Sequence, residues 1–477
     1  MSSKLPVLFA CAALITLSPP GAHAESLAER PTAARAADGR YISWREHLVD
    51  DETLGGIALR GSDGLAIADL DGDGYEDIVS VHEADDVYGG EPEGYVRIAF
   101  GTADPDRWEL MTLAEGVEAA AAEDVAIGDL DGDGDLDVIV ACELAHLIYF
   151  ENPGGAAARS ADWQRLIPSV TRDRGSFIRV FLADLNGDGR LEVASPNKGA
   201  QGPTVDQDPT PISFFEIVGD PLDDEWVEHV LTEITWPINS HTIDLDGDGD
   251  GDIDIVGGSV AEQRIVWFEN RSRDGEFDFV THPLEIEPAD PAAPPIAVHG
   301  FHMEFVDLSG DGRLDIVTFN PARIVGPELV WLEQPENLES AWRQHRIDSY
   351  SPDSLVGLRI ADIDGDGDPD LMTGGYSLSP RDRDDPTPDG ALGRLAWYQN
   401  DGDGGWVRHD FSRRQRGMFD MFVERDMDGD GDVDFVGTRG NSGPYDGVFW
   451  LEQVRTEEPV ASFEHARAED SPEVPLP

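Results

Sequence analysis

Short apolar, β-prone runs alternate along this chain with dense acidic stretches, and the alternation is periodic. Leu65-Ala66-Ile67-Ala68 leads into DLDGDGYED and Ile78-Val79 leads out of it, while Val138-Ile139-Val140 follows the next such stretch. Six of the units then show an aromatic strand end: YFEN at 149–152, FFEI at 214–217, WFEN at 267–270, WLEQ at 331–334, WYQN at 397–400 and WLEQ at 450–453. A joint rich in Gly, Asp, Asn and Pro separates this from a run opening on an aromatic residue: Trp108, Trp163, Trp226, Phe277, Trp342 or Trp406. Helical periodicity is essentially absent, so the pattern predicts four short strands per unit.

The acidic loops begin at Asp69, Asp129, Asp184, Asp244, Asp307, Asp362 and Asp426, at intervals of 60, 55, 60, 63, 55 and 64 residues. Seven units of about 60 residues with four strands each predict an all-β chain, a seven-bladed β-propeller of four-stranded blades. The last unit stops at WLEQ without a fourth strand. The unmatched Trp44-Arg45-Glu46-His47 resembles Trp226-Val227-Glu228-His229 and Trp342-Arg343-Gln344-His345. An N-terminal strand is therefore expected to close the ring and protect its edges. The expected organisation is a signal peptide at 1–24, a linker at 25–40, the propeller at 41–456 and a disordered acidic tail at 457–477.

Carboxylates at positions 1, 3, 5 and 9 of a loop, with glycine at 6 and a backbone carbonyl at 7, suit a hard cation that takes 6–8 oxygens. In the first loop these are Asp69, Asp71, Asp73, the carbonyl of Tyr75, and Asp77, with Gly72 and Gly74 allowing the tight turn. The others offer Asp129, Asp131, Asp133, Asp135 and Asp137; Asp184, Asn186, Asp188, Arg190 and Glu192; and Asp307, Ser309, Asp311, Arg313 and Asp315. They continue with Asp362, Asp364, Asp366, Asp368 and Asp370, then Asp426, Asp428, Asp430, Asp432 and Asp434. The fourth loop holds Asp244, Asp246, Asp248, Asp250, Asp252 and Asp254, and either of the first two could be its first ligand, because a shift of two keeps every side chain on the same face. Position 12, where an EF-hand needs glutamate, is Ser80 in the first loop and Val140 in the second. These are calcium loops of another kind, with room for up to about seven ions.

The sequence resembles the FG-GAP/VCBS repeat family, whose best-known members are the integrin alpha-chain head domains. The resemblance rests on the seven D-x-D-G-D-G-x-x-D loops and the aromatic strand ends. It implies calcium in the hairpin between the first and second strands of each blade, on one face of the disc. Asn186, Glu192 and Ser309 depart from the pattern and imply weaker binding in the third and fifth loops. Relatives in this family include adhesion receptors, lectin-like binders and carbohydrate-active enzymes, so the resemblance leaves activity open.

Charge narrows the partners. Across 477 residues, 34 Lys+Arg against 97 Asp+Glu give a net charge of −63. Such a surface repels phosphate backbones and anionic lipid, which excludes nucleic acid and membrane docking as expected partners. Lys4, the apolar run Leu5 to Leu17 and Ala22-His23-Ala24 read as a secretory signal cleaved near Ala24, which predicts a secreted protein, extracellular or periplasmic, without membrane insertion. Cleavage leaves a single cysteine, Cys142, and hence no internal disulfide; calcium takes over that bracing role.

If calcium lines one face, the opposite rim is where each first strand begins and each second strand ends. Polar residues gather there: Asp124, Arg179, His241, His299, His302, Glu304 and Arg359 at the beginnings, and His82, Glu83, Glu143, Lys198 and Tyr376 at the ends. In a water-filled channel they are simply solvated. Convergent, they form a ligand site, or a catalytic one built on His241, His299, His302 and Arg359. No G-x-S-x-G, H-E-x-x-H or Gly-rich phosphate loop is present. The leading expectation is an extracellular binding or adhesion module for glycan or protein; the alternative is a carbohydrate-active enzyme of lyase or dehydratase type, its site on this rim.

Overall fold

Each acidic loop joins two strands that pair antiparallel. The computed structural model describes residues 26–476 apart from 85–91, 145, 161, 248–251, 321–326, 378–390 and 469. The expected signal segment with Ala24 lies outside the described residues, as do Asp248 and Asp250. Seven sheets follow one another around a ring, making a seven-bladed β-propeller with almost no helix. Blades one to six span residues 62–115, 122–166, 181–234, 237–283, 303–349 and 354–414. Blade seven combines strands within 422–456 with Tyr41–Asp51, which pairs antiparallel with the third strand through Trp44↔Gln453 and His47↔Trp450. The ring is therefore closed by the N-terminal strand, as Trp44-Arg45-Glu46-His47 predicted.

That four-residue resemblance has a physical basis. In five blades a histidine of the fourth strand lies directly across from the aromatic of the third: Phe214↔His229, Trp267↔His282, Trp331↔His345, Trp397↔His409 and Trp450↔His47. Four of the five pairs stack, at 4.1 Å for Trp331–His345 and 4.0 Å for Trp450–His47, and Trp397–His409 is tilted at 4.6 Å. In four of the five the imidazole reaches a glutamate two positions beyond the aromatic, as in His345–Glu333 at 2.8 Å and His47–Glu452 at 2.8 Å, and in the fifth His409 reaches Gln399 at 3.1 Å. Aromatic cross-strand pairs are worth about 0.5–1.5 kcal/mol each beyond the area they bury. These histidines are structural.

Both chain ends depart from expectation. Residues 25–40 are not a loose linker where they are described: Ala28, Ala34 and Ala36 are buried in the core between blades six and seven. Nor is the described tail disordered. Phe463–Glu464 adds a parallel strand beside Trp44, and Glu473 and Asp470 run back along blade six. The composition read as disorder because its acids looked unmatched, yet Arg414 and Arg439 of the folded blades match them, and the backbone amide of Arg413 donates to Glu473.

Cys142 is buried and unpaired in the core between blades one and two, where desolvation pushes its thiol up. Among the described residues no helix is long and apolar enough to cross a membrane.

Candidate functional site

The loops are built alike. In the first, the amides of Asp73 and Gly74 donate to Asp69 at 3.1 and 3.0 Å, and that of Tyr75 donates to Asp73 at 2.9 Å. Gly72 and Gly74 hold φ of 71° and 93°, the left-handed region such a turn requires. The closing aspartate does a second job. Asp137 accepts from the amide of Leu130 inside its own loop at 3.1 Å and from that of Asn152 at the end of the third strand at 2.9 Å. Asp77, Asp254, Asp315, Asp370 and Asp434 repeat the arrangement. Glu192 keeps the loop bond at 2.8 Å through its longer side chain. Burial pushes these carboxyls up, Asp137 to about 7 and Asp370 to about 8.

The fourth loop resolves its own ambiguity. Gly247 donates to Asp244 and Leu245 to Asp254, so Asp244 occupies the first position and Asp254 the last. The loop has grown by two residues between fixed ends.

The donor set fits a hard cation. Carboxylate oxygens of Asp69, Asp71 and Asp77 lie within 4.8 Å of one another, as do those of Asp129, Asp131 and Asp137. Calcium held there would tie both strands of the hairpin to one centre. Cationic side chains share some loops. Arg159, from blade two, pairs with Asp71, with Asp73 at 2.8 Å and with Glu109 at 2.9 Å; Arg455 lies 3.3 Å from Asp432. Ser309 donates to Asp307 at 3.4 Å instead of supplying a charge.

The axis is interlocked where the described residues line it. His302 Nε2 lies 3.0 Å from both Arg179 Nη2 and Asp420 Oδ1, and Arg179 lies 3.7 Å from Asp420. Burial first, then Arg179, lower the His302 pKa, and the contact with Asp420 works against them. Asp124 accepts from the amide of Val180 at 3.0 Å, tying blade two to blade three. Farther along, Arg359 pairs with Glu424 and lies 3.5 Å from Glu304. His241 is sandwiched between Phe181 at 4.6 Å and Phe305 at 4.9 Å, and desolvation lowers its pKa to about 4. The four candidate catalytic residues differ in their contacts, with His302 in the Arg179–Asp420 network, Arg359 in its own ion pairs, His241 between rings and His299 at the mouth, while Arg359 and His302 are near enough to His241 to lower its pKa further.

That mouth, on the face away from the loops, is a cavity of about 320 Å³ to which all seven blades contribute. One side is acidic, with Asp63, Glu83, Glu123, Glu143 and Asp420 beside Lys198. The other is apolar, with Trp236, Phe301, Phe319, Leu355, Tyr376 and Met418. Lys198 Nζ donates to Glu143. Burial, then repulsion from Glu83, raises Glu123 to about 8. Close packing fixes the far wall: a Cβ on Gly258 would stand 1.9 Å from the carbonyl of His299. Glu83, Glu143, Lys198, His299 and Tyr376 were legible as rim residues. Glu123, Asp420, Trp236 and Phe301 were missed. Glu123 escaped because a register shift between Ala122 and Asp124 breaks the alternation and leaves both acids buried at the axis.

Residues 246–318 and 307–373 match the family model of the FG-GAP-like repeat, so FG-GAP-like repeats run through blades four to six. No curated protein matches the chain. Among solved structures it is similar to BBS1N in complex with ARL6DN, in a lead-soaked crystal, at 10% identity and a TM-score of 0.41, covering 90% of this chain and 99% of that one. A mercury-soaked crystal of the same complex gives 11% identity and a TM-score of 0.43, covering 86% and 96%.

Proposed function

We propose that this FG-GAP-repeat propeller is an exported binding module, stabilised by calcium on one face, whose ligand sits in the axial cavity on the other. The observation that carries this is the cavity itself: its size falls in the range of about 300–1,000 Å³ typical of ligand sites, and it joins an apolar wall to a few converging polar groups. A glycan presents apolar ring faces and hydroxyls, which suit Trp236, Phe301 and Tyr376 opposite carboxylates; an inserted side chain of a protein partner would use the same walls. The loops supply the rigidity that disulfides give other exported proteins.

The test is a binding screen of the chain from residue 25, in millimolar calcium, against neutral and acidic oligosaccharides and exported proteins, repeated with Phe301→Ala and Tyr376→Ala. The expected ligand is lost in both variants while their melting temperature holds. A ligand that both variants bind as tightly as the native chain overturns the cavity as the site. Calcium is tested separately by EDTA, which is expected to lower the melting temperature. Export is tested by N-terminal sequencing of the protein outside the cytoplasm, expected to start at Glu25.

One observation favours a second, enzymatic reading. A carboxyl held protonated near neutral pH beside ionisable neighbours, as Glu123 is beside Glu83 and Glu143, is the arrangement of a general acid with a base. On that reading, new reducing ends or unsaturated uronates appear from polysaccharide and vanish with Glu123→Gln.

A further inference from the structure

We propose that the outer edge of blade three, Trp226–Ile234, takes an extended segment of a partner protein as a fifth, parallel strand, and that this segment carries an apolar residue followed by an aliphatic one between basic flanks. The site is on the rim of the disc and does not depend on the axial cavity.

The chain itself shows how an outer strand of this fold is extended. In blade five Ile286–Pro288 lies parallel to the outer strand, with Ile286↔Trp342 and Glu287↔Arg343. In blade seven Phe463–Glu464 lies parallel to the closing strand, with Trp44↔Phe463 and Arg45↔Glu464. The tryptophan amide donates to the added strand in both, to the carbonyl of Glu285 at 2.8 Å and to that of Ser462 at 3.1 Å. The residue across from the tryptophan is apolar and packs with it in the core, Ile286 in one blade and Phe463 in the other. The next position pairs by charge, as Arg45 does with Glu464 at 2.9 Å. Two unrelated pieces of chain thus follow one rule.

Blade three has the same opening. Trp226-Val227-Glu228-His229 matches the strands that begin at Trp342 and Trp44, yet among the described residues its four-stranded sheet ends there. The Val218 amide donates inward to the carbonyl of Glu225 at 3.0 Å, so alternation turns the Trp226 amide outward, the direction in which Trp342 and Trp44 donate. The edge is nine residues long. Blade six has an outer strand of the same length, but the tail pairs with its end through Arg414↔Glu473. The outer strands of blades two and four run only three and five residues, and that of blade one exposes only its terminal glutamates.

Side chains decide what enters. Val227 is 44% exposed and Val230 53%, and Val227 stands where Arg343 and Arg45 stand in the extended blades. Sheets commonly protect an open edge with charge, and exposed β-branched residues there do the opposite. The position that takes glutamate in blades five and seven therefore takes an aliphatic residue here. Charge sets the flanks. Asp223, Asp224 and Glu225 are exposed just before the strand and Glu233 near its end, and none has an ion pair among the described residues. Asp224 accepts from the amide of Ser169 at 2.7 Å, which leaves its charge unbalanced. Glu228 is already engaged by Arg174 at 2.5 Å and Ser213 at 2.9 Å and makes no demand on the partner. A net charge of −63 works against a second copy of this chain and favours a basic segment.

The probes are the capped peptide KRIVTRK, its scramble KVRTKIR of equal charge, and KRIETRK, titrated by fluorescence anisotropy at physiological salt into the calcium-loaded chain from residue 25. KRIVTRK is expected to bind at least about tenfold more tightly than the scramble and to slow hydrogen exchange at the Trp226 amide. Val227→Lys and Val230→Lys, both at exposed positions, are each expected to remove that preference, and two variants keep the test standing if one misfolds. Val227→Arg copies the extended blades and is expected to shift the ratio of affinities by about tenfold toward KRIETRK. Equal binding of KRIVTRK and its scramble overturns the proposal, as does silence from both. Loss of KRIVTRK binding in Phe301→Ala places the peptide in the axial cavity and overturns the rim site, whereas failure at the rim leaves the cavity reading untouched. Self-association of the native chain that Val227→Lys abolishes, with the peptides silent, overturns the proposal in favour of a second copy.

Discussion

Arg414 Nη2 lies 2.8 Å from Glu46 Oε1, and both side chains are buried. One belongs to the outer strand of blade six, the other to the N-terminal strand that closes the ring. Asp470 joins them at 3.2 Å from Arg414, so the closing strand is held by charge against blade six as well as by strand pairing within blade seven. Removing one partner of a buried ion pair leaves the other uncompensated, at a cost of about 3–5 kcal/mol. Arg414→Met is therefore expected to destabilise by that amount in urea titration, and ending the chain at Val460 by a large part of it. Unchanged midpoints for both would show that strand pairing alone closes the ring.

The same seam should titrate. Desolvation opposes ionisation of Glu46, Asp470 and Glu473, but the surrounding Arg414, Arg439 and His465 outweigh it, and all three pKa values are lowered. A folded-state pKa below the unfolded one contributes stability above the unfolded value and loses it as pH falls through the folded one. The unfolded references are 3.8 for Asp and 4.5 for Glu, so the tail's contribution is full at pH 6 and fades below about 4.5. The gap in stability between the full chain and one ending at Val460 is expected to shrink between pH 6 and pH 3. A constant gap would mean the tail is held by its apolar and backbone contacts, such as those of Phe463.

Repetition made the ring legible. Seven loops at a near-constant interval and the aromatic strand ends give blade count, hairpin position and even the closing strand, because the histidine of Trp-x-x-His faces the aromatic wherever the pair occurs. What lies between repeats was less visible. The tail acids find arginines far away in sequence, and a pairing of Arg439 or Arg414 with Asp470 has no local signature. The rim was legible as a list of polar residues, but their division into an interlocked axis and an open acidic mouth depends on register shifts at the starts of the first strands. Those shifts, at Ser62/Leu65, Ala122/Asp124, Pro237/Asn239 and Leu355/Gly357, are invisible to strict alternation.

The final residue of the aromatic strand end ties neighbouring blades. Asn152 donates to the carbonyl of Leu70 in the first loop at 2.8 Å and to that of Leu136 in its own blade at 2.9 Å; Gln453 does the same with Ile363 at 2.9 Å and Val433 at 3.2 Å. Among the described residues the Asn400 side-chain amide donates only to the carbonyl of Pro369 in its own blade, at 3.2 Å. Asn152→Ala strands two carbonyls, and at about 1–3 kcal/mol for each unsatisfied group it should cost distinctly more than Asn400→Ala. Urea midpoints of the two variants, in calcium and in EDTA, check this. Equal losses would show that the bond between blades adds nothing.

Arg159 sets the first loop apart. Its guanidinium lies among Asp71, Asp73 and Glu109 and packs 4.9 Å from the Phe100 ring, so one cationic side chain from blade two already offsets part of the loop's charge. Without calcium, Arg159→Gln frees mutually repelling carboxylates and cuts a tie between blades, so the EDTA melting temperature should fall. With calcium, the same loop gains net negative charge and a less crowded site, so its calcium affinity should rise. The two effects have opposite signs, and the variant should show a larger melting shift between EDTA and calcium than the native chain. The comparison needs only melting curves across a calcium titration. A shift that shrinks on Arg159→Gln would mean that the arginine helps to hold the calcium-bound loop, and that its place among the carboxylates supports the ion instead of competing with it.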